Sequence, residues 1–421
     1  MSEMYVKNRE KFAESMENGS FLVIFSGKQP VKRGDEFYPY APQRNFYYAT
    51  GIDRPNLIFV LTKNAKGVVR SKLFLERYDE LTAKWDGAAL SKETAKEISG
   101  VDDLLFLDEF EKQISLLFIM KSHTVYLDLE NRSITAPNTA DIDFAGVVRE
   151  KFPAVSIVNA HPMFAALRVI KAPYEIENLK KAADVTRVAF EAMVMHTRPG
   201  MMEYEVEAYV DYTYRKSGCK DRAFRTILAS GKNACVLHYG DNNCKIEDGS
   251  LVLTDFGAHW NWYSADVSRT FPANGKFTDR QKQLYNIVLG AMNVVFDMIK
   301  PGVVFGTLNE AVIDYYAVEL EKIGLIKEKS EVSKYYYHGV SHMLGLETHC
   351  VGGGADVVLA PGMVFTVEPG LYIAEEGLGI RIEDDVLVTE SGYENLTGSI
   401  IKEVDDIEAF MARMQARFSG K

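Results

Sequence analysis

Short apolar runs separated by polar, glycine-bearing segments fill residues 1 to about 160. Phe21-Leu-Val-Ile-Phe25, Leu57-Ile-Phe-Val-Leu61, Lys72-Leu-Phe-Leu75 and Thr124-Val-Tyr-Leu127 are each bounded by turn residues. Runs this short, without strict polar alternation, predict strands buried within a mixed sheet. Glu93–Ile98 and Leu107–Met120 read as helices between them. An α/β domain follows, and no motif in it carries chemistry. Two aromatic features stand out. Gln43-Arg-Asn-Phe-Tyr-Tyr-Ala-Thr-Gly-Ile52 and Trp85, in the polar context Thr82-Ala-Lys-Trp-Asp-Gly87, read first as ordinary core and surface aromatics, with an interface or a pocket wall the alternative for an exposed Trp85.

The period changes near Ala165-Ala-Leu-Arg-Val-Ile-Lys-Ala-Pro-Tyr-Glu-Ile176. Pro173 followed by Glu175 is a helix start. Ile176, Leu179, Ala182, Ala183, Val188 and Met193 then recur close to helical spacing as far as Met195. Thr197-Arg-Pro-Gly-Met201 breaks that helix, and Glu203–Lys216 predicts a second. Two more are expected at about Thr278–Ile299 and Gly306–Ile323. The boundary between domains falls between about 160 and 172, giving 1–165 and 166–421. The second half runs helices, strands, helices, strands, a loose internal repeat that predicts an α+β fold with pseudo-twofold symmetry.

Each repeat ends in a hairpin that carries acids. Met363-Val-Phe-Thr-Val and Gly379-Ile-Arg-Ile-Glu-Asp-Asp-Val-Leu-Val are β-formers flanking the turn Glu375-Glu-Gly-Leu-Gly. A turn centred between residues 375 and 376 sets Glu368 opposite Glu383. In Val252–Phe271, a turn centred near Trp260 and Asn261 makes Asp255 and Asp266 mirror positions too. Directly opposed residues place their Cβ atoms about 4.5–5.5 Å apart on one face. Carboxylates that close repel, and a fold keeps them by sharing a proton or holding a cation.

Histidines supply the remaining donors. His338-Gly-Val-Ser-His342 and His349 place three of the chain's eight histidines within twelve residues, just ahead of the second hairpin. His338 and His342 have the spacing of a two-histidine site on one helical face, although Gly339 and Gly345 oppose a regular helix. One ligand with two hydrogen-bonding histidines is equally compatible. His238, in Cys235-Val-Leu-His-Tyr239, is a fourth candidate. Tyr372 and Arg381 flank the acids and suit a role in holding them. Carboxylates with one imidazole fit manganese, cobalt, iron or zinc.

At 421 residues two domains are expected, each with ample core. A formal charge of −11 argues against nucleic acid or an anionic membrane as principal partner. The N-terminus is polar where a signal peptide would be apolar, and no run approaches the roughly 18 apolar residues of a membrane helix. Cys219, Cys235, Cys244 and Cys350 have no CxxC spacing, which fits reduced thiols in a cytoplasm, mostly buried as small hydrophobes. A thiol-containing zinc site drawing on Cys235 and Cys350 is a poor fit to such scattered positions.

Asp255, Asp266 in Ala-Asp-Val-Ser-Arg-Thr-Phe, His342 in His-Gly-Val-Ser-His, Glu368 in Thr-Val-Glu-Pro-Gly-Leu-Tyr and Glu383 in Ile-Arg-Ile-Glu-Asp-Asp together resemble the Xaa-Pro aminopeptidases of the pita-bread metallopeptidases. The resemblance covers nearly the whole chain, the first half being similar to the creatinase-type N-terminal domain of that group. It implies two divalent metals, manganese foremost, with cobalt or zinc as alternatives. Asp255 and His342 would be terminal ligands on different metals, Asp266 and Glu383 would bridge, and Glu368 would be a further terminal ligand and proton shuttle. It further implies that His238 and His349 stabilise the reacting group and that His338 lines a proline pocket. A residue like Trp85 would reach a neighbouring subunit's site in a homodimer or homotetramer. The substrates implied are peptides with proline second. A prolidase, cleaving only dipeptides, is the nearest rival, and the short acidic turn Ala374-Glu-Glu-Gly-Leu378 disfavours the carboxylate receptor it needs. Methionine aminopeptidases lack so large an N-terminal domain, and creatinase-like enzymes or a non-catalytic binding module would have lost the ligands. Cys350 stands where relatives often carry an acid.

Overall fold

The continuous apolar runs of the first half become the centre of a six-stranded mixed sheet. Its order is Asp103–Phe106, Val69–Leu75, Ile58–Lys63, Ser20–Phe25, Thr124–Leu127, Ser156–Asn159. Ser20–Phe25 runs antiparallel to Ile58–Lys63 and parallel to Thr124–Leu127. Alternate residues of Ser20–Phe25 serve opposite faces. Phe21 and Val23 pack with Val60, Phe74, Ile114, Phe118 and Val125, and Leu22 and Ile24 are buried as well. A strand covered on both sides has no use for polar alternation. Burying each such side chain contributes about 1.5–3 kcal/mol.

The computed structural model describes residues 2–119, 122–131 and 133–419, with backbone only for 415–419. The chain divides into two units, Met1–Leu167 and Arg168–Lys421. In the first, the aromatic run near Gln43 forms the helix Arg44–Thr50, with Phe46, Tyr47 and Tyr48 all buried. Gln43 caps it by accepting from the Phe46 N–H at 2.6 Å. The helix expected at Leu107–Met120 opens with a 3-10 turn, Leu107–Glu109, and continues as Phe110–Ile119. Met120 lies outside the described residues. Trp85, on the helix Glu80–Asp86, is 83% exposed.

The second unit opens with the helices Pro173–His196 and Glu203–Lys216. A three-stranded sheet follows, ordered Val267–Pro272, Leu251–Phe256, Ile227–Ser230, whose central hairpin extends into His259–Trp260 and Tyr263–Ser264. The sequence then repeats the scheme. Helices Asp279–Met298 and Gly306–Lys322 lead to a second three-stranded sheet, Val364–Val367, Asp384–Val388, Tyr393–Asn395, with the hairpin Gly370–Ile373 and Leu378–Arg381. Thr278 caps the first of these helices, accepting from Gln281 N while Gln281 Oε1 accepts from Thr278 N. The helix Val404–Ser419 ends the described chain. Among the described residues no helix is long and apolar enough to cross a membrane.

Register departs from expectation in the first hairpin. Leu251 pairs with Pro272 and His259 with Ser264, so the turn is centred between Asn261 and Trp262. Both hold positive φ, 48° and 66°, as a tight two-residue hairpin turn requires. Asp255 therefore faces Ser268 rather than Asp266. Moving the centre by one residue moves each partner by two, so Asp266 keeps the same face as a diagonal neighbour. In the second hairpin Gly370 pairs with Arg381 and Val367 with Asp384. That register sets Glu368 opposite Glu383, as the turn arithmetic gave.

The two half-sheets are stitched by a buried arginine. Arg269 is 0% exposed, and all five of its N–H groups are used. Nε donates to Ile401 O, Nη1 to Ser268 O and Glu383 O, and Nη2 to Asp384 Oδ1 and Ile400 O. Burial alone would raise the Asp384 carboxyl, but the charges of Arg269 and Lys402 outweigh it and hold the group below its ordinary value. Removing one partner of a buried pair strands the other charge. Arg269→Met should therefore cost about 3–5 kcal/mol, read as a lower unfolding midpoint in urea. A midpoint equal to the parent's would show that the seam does not depend on this pair.

Candidate metal centre

Four carboxylates reach the seam because each sits at a strand end or a strand break. Asp255 is the penultimate residue of Leu251–Phe256, and Asp266 immediately precedes Val267–Pro272. Glu368 follows Val364–Val367, and Glu383 fills the step between Leu378–Arg381 and Asp384–Val388. Neighbouring side chains fix two of them. Ser268 Oγ donates to Glu383 Oε2 at 2.8 Å, and Arg381 Nη2 donates to Asp255 Oδ2 at 2.7 Å. Asp255 Oδ1 is buried and has no hydrogen-bond partner.

His342 arrives on an irregular segment rather than a helix. Thr366 N donates to His342 O, Glu368 N to Val340 O and Leu344 N to Val364 O, so residues 340–344 lie along Val364–Val367 as an informal extra strand. The helical face that would have paired His338 with His342, one of the two arrangements left open, is absent, because Gly339 and its neighbours follow no helix. His342 Nδ1 lies 3.2 Å from Met343 O, to which it donates, leaving the Nε2 lone pair facing inward. Nε2 is 3.3 Å from Asp266 Oδ2 and 3.5 Å from Glu368 Oε1. Asp266, His342 and Glu383 each offer one donor atom, all within 4.8 Å of one another. No cysteine joins them among the described residues.

Protonation reflects crowding that Arg381 offsets only in part. Burial, then repulsion from Glu383, Asp255, Asp385 and Glu368, drives the Asp266 carboxyl well above its ordinary value. Glu383 is driven up likewise by burial, Glu368 and Asp255. Burial lifts Glu368 to about 8, with Arg381 opposing and Asp255 adding to the rise. Burial pushes His342 down to about 4, with His349 reinforcing it. Acids that resist ionising together, a neutral imidazole aimed at them and an orphaned carboxylate oxygen are what a divalent cation would relieve. The donor set fits such a cation.

A second group flanks the acids. His338 Nδ1 donates to Gly339 O at 2.8 Å, so Nε2 accepts from the Tyr372 O–H at 2.9 Å. Arg381 Nη1 donates to the Tyr372 oxygen at 2.9 Å. A continuous chain thus runs from Asp255 through Arg381 and Tyr372 to His338. Gly370 makes room for it, since an added Cβ would stand 2.5 Å from the Tyr372 hydroxyl. Burial pushes His338 down to about 4. His349 is exposed, its ring 4.2 Å from that of His342. His238 is exposed on the loop after Gly231–Cys235, and its charge contributes to the lowering of His338.

Several contributors escaped the sequence reading. Ser268, inside the motif around Asp266, holds both Glu383 and Arg381 Nε. Thr366 holds the His342 backbone. Asp385 Oδ2 accepts from Asp266 N at 3.1 Å, while its Oδ1 is buried without a partner. The run Glu383-Asp384-Asp385 was the visible sign that more than one acid mattered. Cysteine burial was overestimated, because only Cys219 is buried and all four are free thiols. Cys350 Sγ takes an Arg168 N–H at 3.4 Å beside the Arg168–Glu347 pair. The thiol thus occupies the place of an acceptor.

Comparison with known proteins identifies the family. Residues 177–390 match the model of Metallopeptidase family M24, and residues 5–126 match the Aminopeptidase P N-terminal domain. The chain is 34% identical to the Xaa-Pro aminopeptidase of Escherichia coli K12, covering 97% of each. It is 30% identical to the Xaa-Pro dipeptidase of Rattus norvegicus, covering 97% of this chain and 93% of that one. A structure of a putative aminopeptidase P from Bacillus anthracis superposes with a TM-score of 0.96 at 49% identity, covering 98% of each chain. With its α/β N-terminal domain, its pita-bread C-terminal unit and its acids and histidine converging at one seam, the chain belongs to metallopeptidase family M24.

Proposed function

We propose that this protein is a metal-dependent aminopeptidase that hydrolyses the bond between an N-terminal residue and a following proline. The observation that carries the reading is the convergence of Asp266, Glu383 and the inward Nε2 of His342 within 4.8 Å. Asp255 and Glu368 complete the set at its edges. In this reading Asp255, Asp266, His342, Glu368 and Glu383 would together hold two divalent ions. Four carboxylates balance two dications. Manganese is the favoured ion, with cobalt and zinc as alternatives. When bound, such metals lower the pKa of water at the site and polarise a carbonyl.

The chain's own residues supply the rest. Arg381, bound to Asp255 and Tyr372, fixes the acid's direction without occupying the cluster. Glu368, at the edge of the cluster with Oε1 3.5 Å from His342 Nε2, suits a carboxyl that passes a proton to the departing prolyl nitrogen. That nitrogen carries no N–H in the substrate, so it must receive a proton on leaving. His349 beside His342, and His238 on its loop, stabilise the reacting carbonyl. His338, backed by Tyr372, lines the proline pocket. Trp85, exposed on the N-terminal unit, serves a neighbouring subunit in a homodimer or homotetramer, and the protein works in the cytoplasm.

The dipeptidase reading has one observation to answer. The strands Gly370–Ile373 and Leu378–Arg381 are joined by residues 374–377 alone, and Glu376 there is committed to Arg280. So short a turn adds acid rather than the base a substrate's terminal carboxylate needs.

Chelator-stripped protein should lose activity on an Arg-Pro-Pro tripeptide and regain it with manganese, cobalt or zinc, while a Gly-Pro dipeptide is cleaved poorly. Preference for the dipeptide would move the assignment to dipeptidase. Cleavage of neither, with no metal retained, would remove the catalytic reading. The metal should also be visible in stability. At about a hundredfold excess over Kd it contributes about 2.7 kcal/mol, a Tm shift of about 5–10 °C on chelation. Asp266→Asn should show no such shift, and an equal shift in both proteins would put the stabilising ion elsewhere.

A further inference from the structure

Glu203 has no place among the proposed ligands, yet it is wholly buried at the start of the helix Glu203–Lys216. Its Oε1 accepts from Ser230 N at 2.8 Å, Ser230 Oγ at 2.7 Å and Asn233 Nδ2 at 3.1 Å. Its Oε2 accepts from the Tyr239 O–H at 2.8 Å and Cys244 N at 2.9 Å. All five donors come from one stretch of chain, residues 230–244, and His238 lies inside it. Glu207, one turn further on and on the same face, extends the grip. It accepts from Asn242 Nδ2, which also donates to Thr226 O, while Asn242 Oδ1 accepts from Leu228 N.

Two further contacts fix the stretch from the site side. Tyr337 O–H donates to Cys235 O at 3.0 Å, and the Tyr337 ring lies 5.2 Å from that of Tyr372. Gly379, on the strand Leu378–Arg381, allows direct backbone approach, because an added Cβ would stand 2.2 Å from Ala234 O. The segment carrying His238 is therefore held from beneath by two glutamates and from the side by the hairpin that bears Arg381. His238 itself is exposed, so the backbone that carries it has a large part in setting its place. An active group must keep its geometry to within about 0.5 Å through neighbours whose positions are locked. A buried carboxylate is also a costly way to fill space, since apolar residues stabilise as well or better.

We infer that Glu203 is a positioning residue for His238, setting the loop from which that imidazole meets the reacting carbonyl. The inference rests on the proposed role of His238. It predicts that losing the acceptor and losing the imidazole are one defect rather than two.

The test is a double-mutant cycle on metal-loaded enzyme with the Arg-Pro-Pro tripeptide, monitoring bound metal and thermal melts. Glu203→Gln keeps the shape but turns an amide N–H₂ toward donors, and should lower kcat about ten- to a hundredfold with KM little changed. Tyr239→Phe removes one donor only, and should give a smaller loss in the same parameter. In a His238→Ala background, Glu203→Gln should change kcat by less than about twofold, the mark of residues acting as a unit. The same fold loss in both backgrounds would overturn the inference and leave Glu203 a structural residue. Full activity in His238→Ala alone would instead overturn the role of His238, and the inference with it. If Glu203→Gln fails to fold, the cycle is run with Tyr239→Phe, and equal losses in the two backgrounds again overturn the inference.

Discussion

Burying like charges side by side is the constraint around which the second unit is built. Asp255 and Glu368 raise the resistance of Asp266 and Glu383 to ionising, Glu383 adds to it at Asp266, and Asp255 does the same to Glu368; low-dielectric surroundings enlarge that repulsion. Such a cluster persists only with an external cation or shared protons. The fold therefore has to supply the stability from elsewhere and keep its own cations off the inner face.

It does so by setting arginines behind the acids. Arg381 takes one oxygen of Asp255 and leaves the other unpartnered. Arg269 bonds to the backbone oxygens of Ser268 and Glu383 and neutralises Asp384, the residue after Glu383. Positive charge thus fixes the strands without filling the position a metal would take. The seam between two repeated half-sheets is the natural location, because each half contributes two acids, three of them just outside their strands and Asp255 one residue from the end of its own.

Histidines occupy the irregular parts. His342 lies along a strand edge through backbone bonds rather than in a helix, and His338 is turned by Gly339 O and Tyr372. His238 sits on a loop whose order comes from Glu203 and Glu207 beneath it. Rigid strands carry the charge, while irregular segments, tied down by backbone and buried acceptors, carry the histidines. That division is common where binding residues ride on a scaffold.

Much of this was legible in the sequence because it is local. Apolar runs gave the four central strands of the six-stranded N-terminal sheet but not its edges, Asp103–Phe106 and Ser156–Asn159, helical periodicity gave Glu203–Lys216 to the residue, and mirror arithmetic about one turn paired Glu368 with Glu383. The same arithmetic misplaced the partner of Asp255, because Asn261 and Trp262, not Trp260 and Asn261, take the left-handed turn, and no composition rule puts a tryptophan there. Cysteine burial and the path of His338–His342 were equally out of reach, since both depend on which strand lies alongside. The sequence by itself determined which residues could bear the chemistry, through residue type, spacing and parity along strands. Only the tertiary structure decided which of them converge. The roles of Arg269, Ser268, Asp385 and Glu203 come from contacts between segments far apart in the chain, and such contacts leave no period to read.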